Sequence, residues 1–395
     1  MKHQPYVSVL LPVYNGENYI ESTITSIINQ SDPDFELIIS IDSSTDSSER
    51  IARKFEESDG RVKVYAHNER LGMRGNYKFL IDKAEGSWLT IIGQDDAMMP
   101  FAISELRNSM KKTKGMSVLV SRRAYAFWPD TNGEFGKNQF IYPIGKNRVS
   151  LVSSRHFLID CLKGKSEYSQ GPQLYTGCFV SRALVNELLS NQNGDLFPYP
   201  IPDVSSSASI LLTSKNFHFS NLPLFIVGTS GSSTGALIDK RLKDTDTASN
   251  IQKLYSDLFN GLGEKFATPG LGVFSTFSWY LYEAISQIAS CDELLCLKFD
   301  PAWALATLKV ENRVAIPKNS EMMQAISMLH NELRPPGLSL QRKTSVIRFF
   351  KFRNLIWKYV YGLALLIRHR LILEPAYKQF DINEFIESTT RRLNQ

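Results

Sequence analysis

The sequence predicts an α/β fold in its N-terminal part, with a mostly parallel sheet flanked by helices. Short apolar runs rich in β-branched residues, such as 7–12 (VSVLLP) and 35–41 (FELIISI), alternate with segments of helical periodicity. Turn-forming residues follow these apolar runs. Strands that alternate with helices are typical of parallel sheets that are covered on both faces.

The predicted elements continue in this order to about residue 121. After the first strand, apolar residues fall on one face of a helix: Ile20, Ile24, Ile27 and Ile28. The segment 42–46 ends the second strand and caps a helix that begins near Ser47. The remaining predictions are strands at 62–66, 88–92 and 116–121, with helices at 73–83 and 101–111.

Polar residues lie just past the carboxyl ends of three predicted strands. Tyr14 follows the first strand and Asp42 the second, and Asp95 and Asp96 follow the run 88–92 (WLTII) after a Gly-Gln turn. Ligands of such sheets bind beyond the carboxyl strand ends, so we expect these side chains to share one crevice. Two adjacent carboxylates there are costly without a positive partner. A hard divalent cation held together with a phosphorylated ligand would supply one.

Composition limits the class of protein. A chain of 395 residues, 43% hydrophobic and 22% charged, is long enough for one large domain with an appendage, or for two folded domains. The net charge of +5 is too small to indicate a nucleic-acid partner, and no recognition motif accompanies it. The four cysteines show no metal-binding spacing, so we expect reduced thiols in a reducing compartment.

Localisation is expected to be cytoplasmic. The N-terminus leads directly into a strand without a signal peptide, and no stretch reaches the roughly 18 apolar residues that span a bilayer. The segment 342–373 interleaves basic with aromatic residues, which as an amphipathic helix would suit an anionic membrane surface. A packing helix with a solvated basic face is the alternative. We expect a domain over 1–240 and a mainly helical region over 241–395.

Several short motifs, in this order and spacing, resemble the family 2 glycosyltransferases of the GT-A fold, most clearly from Val7 to about Met110. They are SVLLPVYN at 8–15, SIINQ at 26–30, FELII at 35–39, DSSTD at 42–46, Asn68, Leu71-Gly72, Asn76, AEG at 84–86, QDD at 94–96 and Pro100. The chain departs from the family at Ile41 and Gly93, where acidic residues are usual. It also lacks the Q-x-x-R-W signature of processive members, which implies the transfer of one or a few sugars.

The resemblance implies a donor site for a nucleoside-diphosphate sugar. Asp96 would be the metal ligand for Mg²⁺ or Mn²⁺, and Asp95 would contact the metal or the ribose. Asp42 would accept a hydrogen bond from the pyrimidine ring, which favours uracil or thymine because an ionised carboxylate only accepts. Pro12 and Tyr14 would flank the base. The structural alternatives are helix caps for the three aspartates and a core position for Tyr14.

The resemblance also suggests a phosphate-facing arginine and a catalytic base. Arg74 is preferred over Arg70 for the phosphates, with a solvated surface charge as the alternative. Asp203, at a helix start roughly 100 residues after the acidic pair, occupies the place of the base that deprotonates the acceptor. It could instead be an N-cap, and Asp195 is the second candidate. His218 is expected to be a core or edge histidine of a strand. The serine-rich loop at 229–234 could close over the diphosphate or could be a mobile linker, and both alternatives stay open.

The function implied is an inverting, non-processive, metal-dependent transfer of a sugar from a donor that we expect to be UDP-linked. The acceptor is expected to be a lipid-linked saccharide, as in bacterial capsule or O-antigen assembly, at the inner face of the plasma membrane. Protein and soluble saccharide acceptors are the alternatives. A catalytically inactive GT-A module that binds saccharides or serves as a scaffold is the alternative, because acidic residues are missing at Ile41 and Gly93.

Overall fold

The computed structural model describes residues 4–131, 139–143, 147–162, 166, 168–199, 201–233, 281, 284–285, 288–289, 371–375 and 382–393. Their strands are β1 (Val7–Val13), β2 (Phe35–Ile41), β3 (Val62–Ala66), β4 (Trp88–Ile91), β5 (Ala97–Met98), β6 (Val118–Phe127), β7 (Gln139–Pro143), β8 (Val149–Ser153), β9 (Cys178–Ser181), β10 (Asn216–Thr229) and β11 (Leu371–Pro375). Their helices are α1 (Ile20–Ile28), α2 (Ser48–Ser58), α3 (Gly72–Lys83), α4 (Ala102–Lys112), α5 (Ser154–Leu162), α6 (Arg182–Asn191), α7 (Pro202–Thr213) and α8 (Ile382–Leu393), with a 3₁₀ turn at Tyr168–Gln170.

The strands form one sheet in the order β11-β7-β6-β9-β4-β1-β2-β3, with β10, β5 and β8 joined beside β6. The pairs β2–β3, β1–β2 and β1–β4 are parallel, as the alternation of strands and helices predicts. Strand β9 runs antiparallel between β4 and β6, so β6 has the same direction as the first four strands. The predicted α/β fold with a mostly parallel sheet is therefore confirmed.

Boundaries predicted from the sequence agree closely with those observed up to α4. Two features are not predicted. The two-residue strand β5 follows the acidic pair and pairs with β10, and it is too short to leave a periodic signal. Strand β10 is long and pairs with β6 through two register shifts around Pro223. A proline cannot donate to the ladder and is found at such irregularities.

Alternating residues of the parallel strands build two cores, one on each face of the sheet. Leu10 and Ile38 belong to one cluster, while Val9 and Leu37 belong to the other, and all four are fully buried. Such strands read as continuous apolar runs because helices cover both faces. Because both faces of these strands are covered, polar side chains can come together only beyond the strand ends, and here they do so beyond the carboxyl ends.

Two elements of the region 241–395 contact this same sheet, one as an added strand and one as a helix packed on it. Strand β11 pairs antiparallel with β7, and in α8 the ring of Phe385 stacks on Phe140 with centroids 3.9 Å apart. The proposed amphipathic helix over 342–373 is therefore wrong at its end, because 371–373 are in a strand. The rest of that segment, and most of the expected helical region, lie outside the described residues.

Two further expectations concern thiols and membrane spans. Cys161 and Cys178 are buried and free, as expected for reduced thiols, while Cys291 and Cys296 lie outside the described residues. Within the described ranges, no helix combines the length and apolar composition needed to cross a membrane. His218 lies on β10, partly buried, and burial lowers its pKa, which agrees with its predicted place in a strand.

Candidate active site

The site lies at the carboxyl ends of three adjacent parallel strands. Strand β1 lies between β2 and β4 in register, so Tyr14, Asp42 and the turn Gln94–Asp96 emerge at the same edge. The backbone amide of Tyr14 donates to Gln94 Oε1 at 2.9 Å, and Gln94 Nε2 donates to the Tyr14 carbonyl at 3.2 Å. The predicted crevice therefore exists, and hydrogen bonds join the turn after β1 to the turn after β4.

Asp96 is buried and receives hydrogen bonds on both carboxylate oxygens. The amide of Gly93 donates to Oδ2 at 2.9 Å, the hydroxyl of Thr176 also donates to Oδ2, and the amide of Gly228 donates to Oδ1 at 2.6 Å. These donors come from the β4 turn, the segment before β9 and the end of β10. Asp96 is thus fixed by three separate elements and does not cap helix α4.

Asp95 is held by the serine-rich loop. The hydroxyls of Ser230 and Ser233 each donate to Asp95 Oδ2 at 2.7 Å. The indole N–H of Trp128 donates to the Asp95 carbonyl at 2.9 Å. The serine-rich loop is therefore hydrogen-bonded to one carboxylate of the acidic pair.

The electrostatics of the pair follow from its burial. Desolvation raises the pKa of Asp96 to about 7, and the neighbouring Asp95 charge adds to this effect, against the three hydrogen-bond donors. Burial likewise raises the pKa of Asp95. Ordinary hydrogen-bond donors thus leave much of the negative charge uncompensated, and a bound cation would favour the ionised forms.

The side chains at the pair suit a hard divalent cation. Two carboxylates and the hydroxyls of Thr176, Ser230 and Ser233 supply oxygen only, which is the chemistry of Mg²⁺ and Mn²⁺ sites. Within the ranges that the structure describes, no cluster of three or more His, Cys, Asp or Glu residues forms. A cation here would therefore take its remaining ligands from phosphate oxygens and water, as Mg²⁺ commonly does.

Gly93, one of the departures from the family, has a packing reason in this structure. A Cβ at this position would lie 2.6 Å from both Asp96 Oδ2 and the Tyr175 hydroxyl oxygen. Tyr175 stacks on Tyr77 with centroids 6.3 Å apart. A side chain at 93 would therefore displace either the carboxylate or the tyrosine.

Asp42 closes the other side of the crevice. It is 3% exposed, and it accepts hydrogen bonds from the amides of Leu71 at 2.5 Å and Gly72 at 3.1 Å. Its own following helix, α2, begins after Ser47, so the helix-cap alternative for α2 is wrong. Asp42 holds the N-terminus of α3 instead.

Tyr14 and Pro12 lie at the end of β1. Tyr14 is 39% exposed, which excludes the core alternative, and the guanidinium of Arg70 lies 3.8 Å from its ring centroid. Pro12 is partly buried and pairs in register with Ser40. The structure thus places Arg70 beside the predicted base-flanking residues, and the sequence analysis had left it second to Arg74.

Arg74 and Asp195 form an ion pair, with each side chain 35% exposed. Asp195 also accepts a hydrogen bond from the Phe197 amide at 3.0 Å. Arg74 is therefore an ion-paired side chain that remains partly exposed to solvent. The pair joins helix α3 to the loop before α7, so the arginine that was predicted to face the phosphates contacts the second base candidate.

Asp203 is the second residue of α7, after Pro202 and the N-cap residue Ile201, so the N-cap alternative is wrong. Tyr168 donates its hydroxyl to Asp203 Oδ2 at 2.9 Å. Burial raises the pKa of Asp203, while Tyr168 and the positive charge of Arg123 oppose the rise. Helix α7 is linked to the acidic pair through the segment 174–176, because the amide of Leu174 donates to Ser206 Oγ at 3.0 Å and the hydroxyl of Thr176 donates to Asp96.

Sequence reasoning missed most of the groups that surround the acidic pair. Thr176, Gly228 and the serines 230 and 233 lie 80 to 138 residues away from their aspartate partners. The serine-rich composition of 229–234 was the one available signal. The threonine and the glycine carry no motif of their own.

Residues 8–164 match the family model described as Glycosyl transferase family 2. The GalNAc(5)-diNAcBac-PP-undecaprenol beta-1,3-glucosyltransferase of Campylobacter jejuni is 33% identical over 103 residues, which are 26% of this chain and 33% of that protein. Glycosyltransferase GlyA of Streptococcus pneumoniae is 33% identical over 90 residues, 23% of this chain and 13% of that protein. The chain thus spans a third or less of these relatives.

Among solved structures, S. aureus TarS 1–349 in complex with UDP-GlcNAc aligns with 86% of this chain and 95% of that chain. Its sequence identity is 15% and its TM-score 0.48, and a similarity at that level carries no conclusion about activity or ligand. The family match covers β1 to α5, which carry Tyr14, Asp42, Asp95 and Asp96. The similarity of this chain to glycosyl transferase family 2 therefore lies in residues 8–164, the part that carries these four side chains.

Proposed function

We propose that this protein transfers a sugar from a nucleoside-diphosphate donor to a saccharide acceptor. The observation that carries the proposal is the meeting of Tyr14, Asp42 and the pair Asp95–Asp96 at one sheet edge. The family match over 8–164 supports it. Each group has a chemical role in such a transfer, and we take these in turn.

The donor is proposed to be UDP-linked. Each carboxylate oxygen of Asp42 accepts one backbone hydrogen bond, which leaves acceptor capacity for the N–H of a uracil ring. The exposed ring of Tyr14 offers a surface on which the base can stack. Because a carboxylate only accepts, this arrangement favours uracil over cytosine, which presents a ring acceptor there.

Asp96, with Asp95, is proposed to hold Mg²⁺ or Mn²⁺. Such a cation would neutralise the diphosphate as it leaves and fix its orientation. The chain's contribution is to keep both carboxylates in place through Gly93, Gly228 and Thr176. Burial also keeps water away, so charge interactions at the phosphates are strengthened.

Asp203 is proposed to deprotonate the acceptor hydroxyl in a single displacement that inverts the anomeric carbon. A carboxylate whose pKa is raised by burial is a stronger base than an exposed one. The hydroxyl of Tyr168 fixes its Oδ2, so the other oxygen is the one available to the acceptor. Helix α7 provides the rigid support that such a base requires.

The acceptor is proposed to be a lipid-linked saccharide, to which one or a few sugars are added. The name of the C. jejuni relative includes a PP-undecaprenol acceptor, and the missing Q-x-x-R-W signature supports limited addition. Action at the cytoplasmic membrane surface is proposed from the basic and aromatic residues of 342–373 alone. Capsule or O-antigen assembly is the process that this acceptor would serve.

The experiment combines nucleotide binding with turnover. We expect UDP to raise the melting temperature in the presence of Mn²⁺, because a ligand of the folded state stabilises it. The shift should exceed that with GDP or CMP, whereas dTDP should also bind, since thymine carries the same ring N–H as uracil. In an assay of UDP release from UDP-sugars with a lipid-linked acceptor, Asp203→Asn should keep this shift and lose about 10²- to 10⁴-fold in rate.

Asp195→Asn is the matched variant, since Asp195 is the second candidate for the base. Full activity of Asp203→Asn with loss in Asp195→Asn would move the base to Asp195. If the wild-type protein binds UDP but releases no UDP from UDP-sugars in the turnover assay, the inactive-module alternative is favoured. The absence of a shift with every nucleotide would contradict the proposed donor site.

A further inference from the structure

Tyr175 lies in the segment before β9, and the mechanism above does not use it. The point that a Cβ of residue 93 would occupy is 2.6 Å from the Tyr175 hydroxyl oxygen and 2.6 Å from Asp96 Oδ2. The two oxygens therefore face one small space just past the end of β4, which Gly93 leaves open. The next residue, Thr176, fixes the segment by donating its hydroxyl to Asp96.

The hydroxyl of Tyr175 is available to a ligand. Tyr175 is only partly buried, and its hydroxyl oxygen is not closed off from solvent. Among the residues that the structure describes, none forms a hydrogen bond with this hydroxyl. It does not donate to Asp96, whose Oδ2 accepts instead from Gly93 and Thr176. A polar group without a protein partner is thus open to the cleft beside the proposed metal ligand.

The ring of Tyr175 is held by packing. It stacks on Tyr77 of α3, with centroids 6.3 Å apart and planes 17° from parallel. Tyr77 is 5% exposed, and its ring contacts the edge of Phe197 at a centroid distance of 5.8 Å. A side chain whose orientation is fixed by its neighbours can hold a ligand group in a defined geometry. The Tyr175 hydroxyl is therefore positioned before a substrate binds.

The chemistry of the hydroxyl indicates its ligand. A tyrosine hydroxyl is neutral at physiological pH and can both donate and accept a hydrogen bond. A sugar hydroxyl has the same two capacities, whereas phosphate oxygens only accept and are bound more strongly by charged donors. In the proposed complex the cation holds the diphosphate at Asp96. The sugar that is joined to this diphosphate would then bring its hydroxyl groups close to Tyr175.

We propose that the Tyr175 hydroxyl forms a hydrogen bond with a hydroxyl group of the transferred sugar and so helps to select the donor. The inference rests on the proposed function and adds to it a residue that determines sugar specificity. A site that is built to hydrogen-bond a substrate hydroxyl discriminates against an analogue that lacks it, because the group in the site is then left unpaired.

The first test measures binding by isothermal titration calorimetry, with Mn²⁺ present. The probes are UDP, UDP-glucose, UDP-galactose and UDP-N-acetylglucosamine. Tyr175→Phe should bind UDP as the wild-type protein does, and it should bind the preferred UDP-sugar of the wild type about 10-fold more weakly. Tyr6→Phe is the matched control and should change neither affinity. The Tyr6 ring covers Arg107 at 3.9 Å and precedes β1, at the opposite end of the strand from the cleft.

Deoxy derivatives of the preferred UDP-sugar provide the second test. The wild-type protein should bind one of these derivatives about 10-fold more weakly than the parent sugar, because the hydroxyl that contacts Tyr175 is absent. Tyr175→Phe should bind that derivative and the parent equally, since one partner of the contact is already removed. If the variant keeps the wild-type discrimination at every ring position, the inference is overturned.

Stability separates this role from a structural one. Free Tyr175→Phe should melt at the wild-type temperature, because the substitution removes no hydrogen bond within the described part of the chain. A lower melting temperature with unchanged affinity for all probes would make Tyr175 a packing residue and overturn the inference. An equal loss of affinity for UDP and for every UDP-sugar would also overturn it, because the contact would then be to the nucleotide.

The failure of this inference differs from the failure of the proposed function. If the wild-type protein and Tyr175→Phe bind all four probes equally, the inference is overturned and the donor site stands. If the wild-type protein binds none of the probes, the donor site itself is contradicted and the inference falls with it.

Discussion

Replacement of Asp96 by asparagine is expected to change how the free energy of unfolding depends on pH. In the folded protein without metal, burial and the Asp95 charge raise the pKa of Asp96 from 3.8 to about 7. A carboxyl group with a raised folded pKa binds its proton more tightly in the folded state. Its contribution to stability is therefore full below pH 3.8 and is lost as the pH rises through about 7.

The magnitude follows from the size of the shift. From 3.8 to about 7 at 1.36 kcal/mol per pKa unit, ionised Asp96 costs the folded state about 4 kcal/mol at alkaline pH, as an order of magnitude. The asparagine variant avoids this cost. It loses one acceptor for the Gly93 or Gly228 amide, which costs about 1–3 kcal/mol at every pH. The difference in stability between the variant and wild type should thus rise with pH.

The assay is urea unfolding of both proteins in EDTA, between pH 4.5 and 8.5. We expect the free energy of unfolding of the variant, relative to that of wild type, to rise by several kcal/mol across this range, most steeply between pH 5 and 7. Addition of Mn²⁺ with UDP should raise the free energy of unfolding of the wild-type protein at pH 8 and have little effect on that of the variant. Parallel curves for the two proteins would refute the reasoning, because they would show that Asp96 titrates alike in the folded and unfolded states.

Three further predictions address the contacts of the acidic pair and the packing of α8. Thr176→Val should destabilise the protein by about 1 kcal/mol, measured by urea unfolding, because the hydroxyl that bonds Asp96 is lost; Thr176→Ser should restore most of it. Phe385→Ala should lower the free energy of unfolding by about 3–5 kcal/mol and lower the melting temperature, because α8 packs into the core. A loss below about 0.5 kcal/mol, as is usual for an exposed residue, would show that α8 is not docked. Gly228→Ala should prevent folding, seen by circular dichroism, since a Cβ there would overlap the Asp95 carbonyl; Gly60→Ala, where the space is open, is the control.

Local patterns predicted the elements of the N-terminal half because each one is encoded by contiguous residues. Continuous apolar runs marked β1, β2 and β4, whose two faces are both buried. The same reasoning was less successful for the C-terminal end of the proposed basic helix. Residues 371–373 pair with β7, and a strand that is recruited by a distant sheet edge need not show its state in local periodicity.

Helix-cap alternatives for the aspartates could not be decided from the sequence. Asp42 lies just before a predicted helix, yet its carboxylate bonds the start of a different helix, α3. Asp203 lies one residue inside α7. Whether an aspartate caps a helix depends on the residue at which the helix begins and on which distant segment its carboxylate contacts. Helix boundaries are the least certain part of a sequence-based prediction.

The sequence by itself determined which residues reach the site from the parallel strands. Alternation of strands and helices makes the strands parallel, and parallel strands place their carboxyl ends at one edge, so Tyr14, Asp42 and the acidic pair had to meet there. Only the tertiary structure decided what surrounds them. Thr176 and Gly228 reach Asp96 from the segment before β9 and from β10, because such contacts depend on how distant segments pack and not on any local propensity.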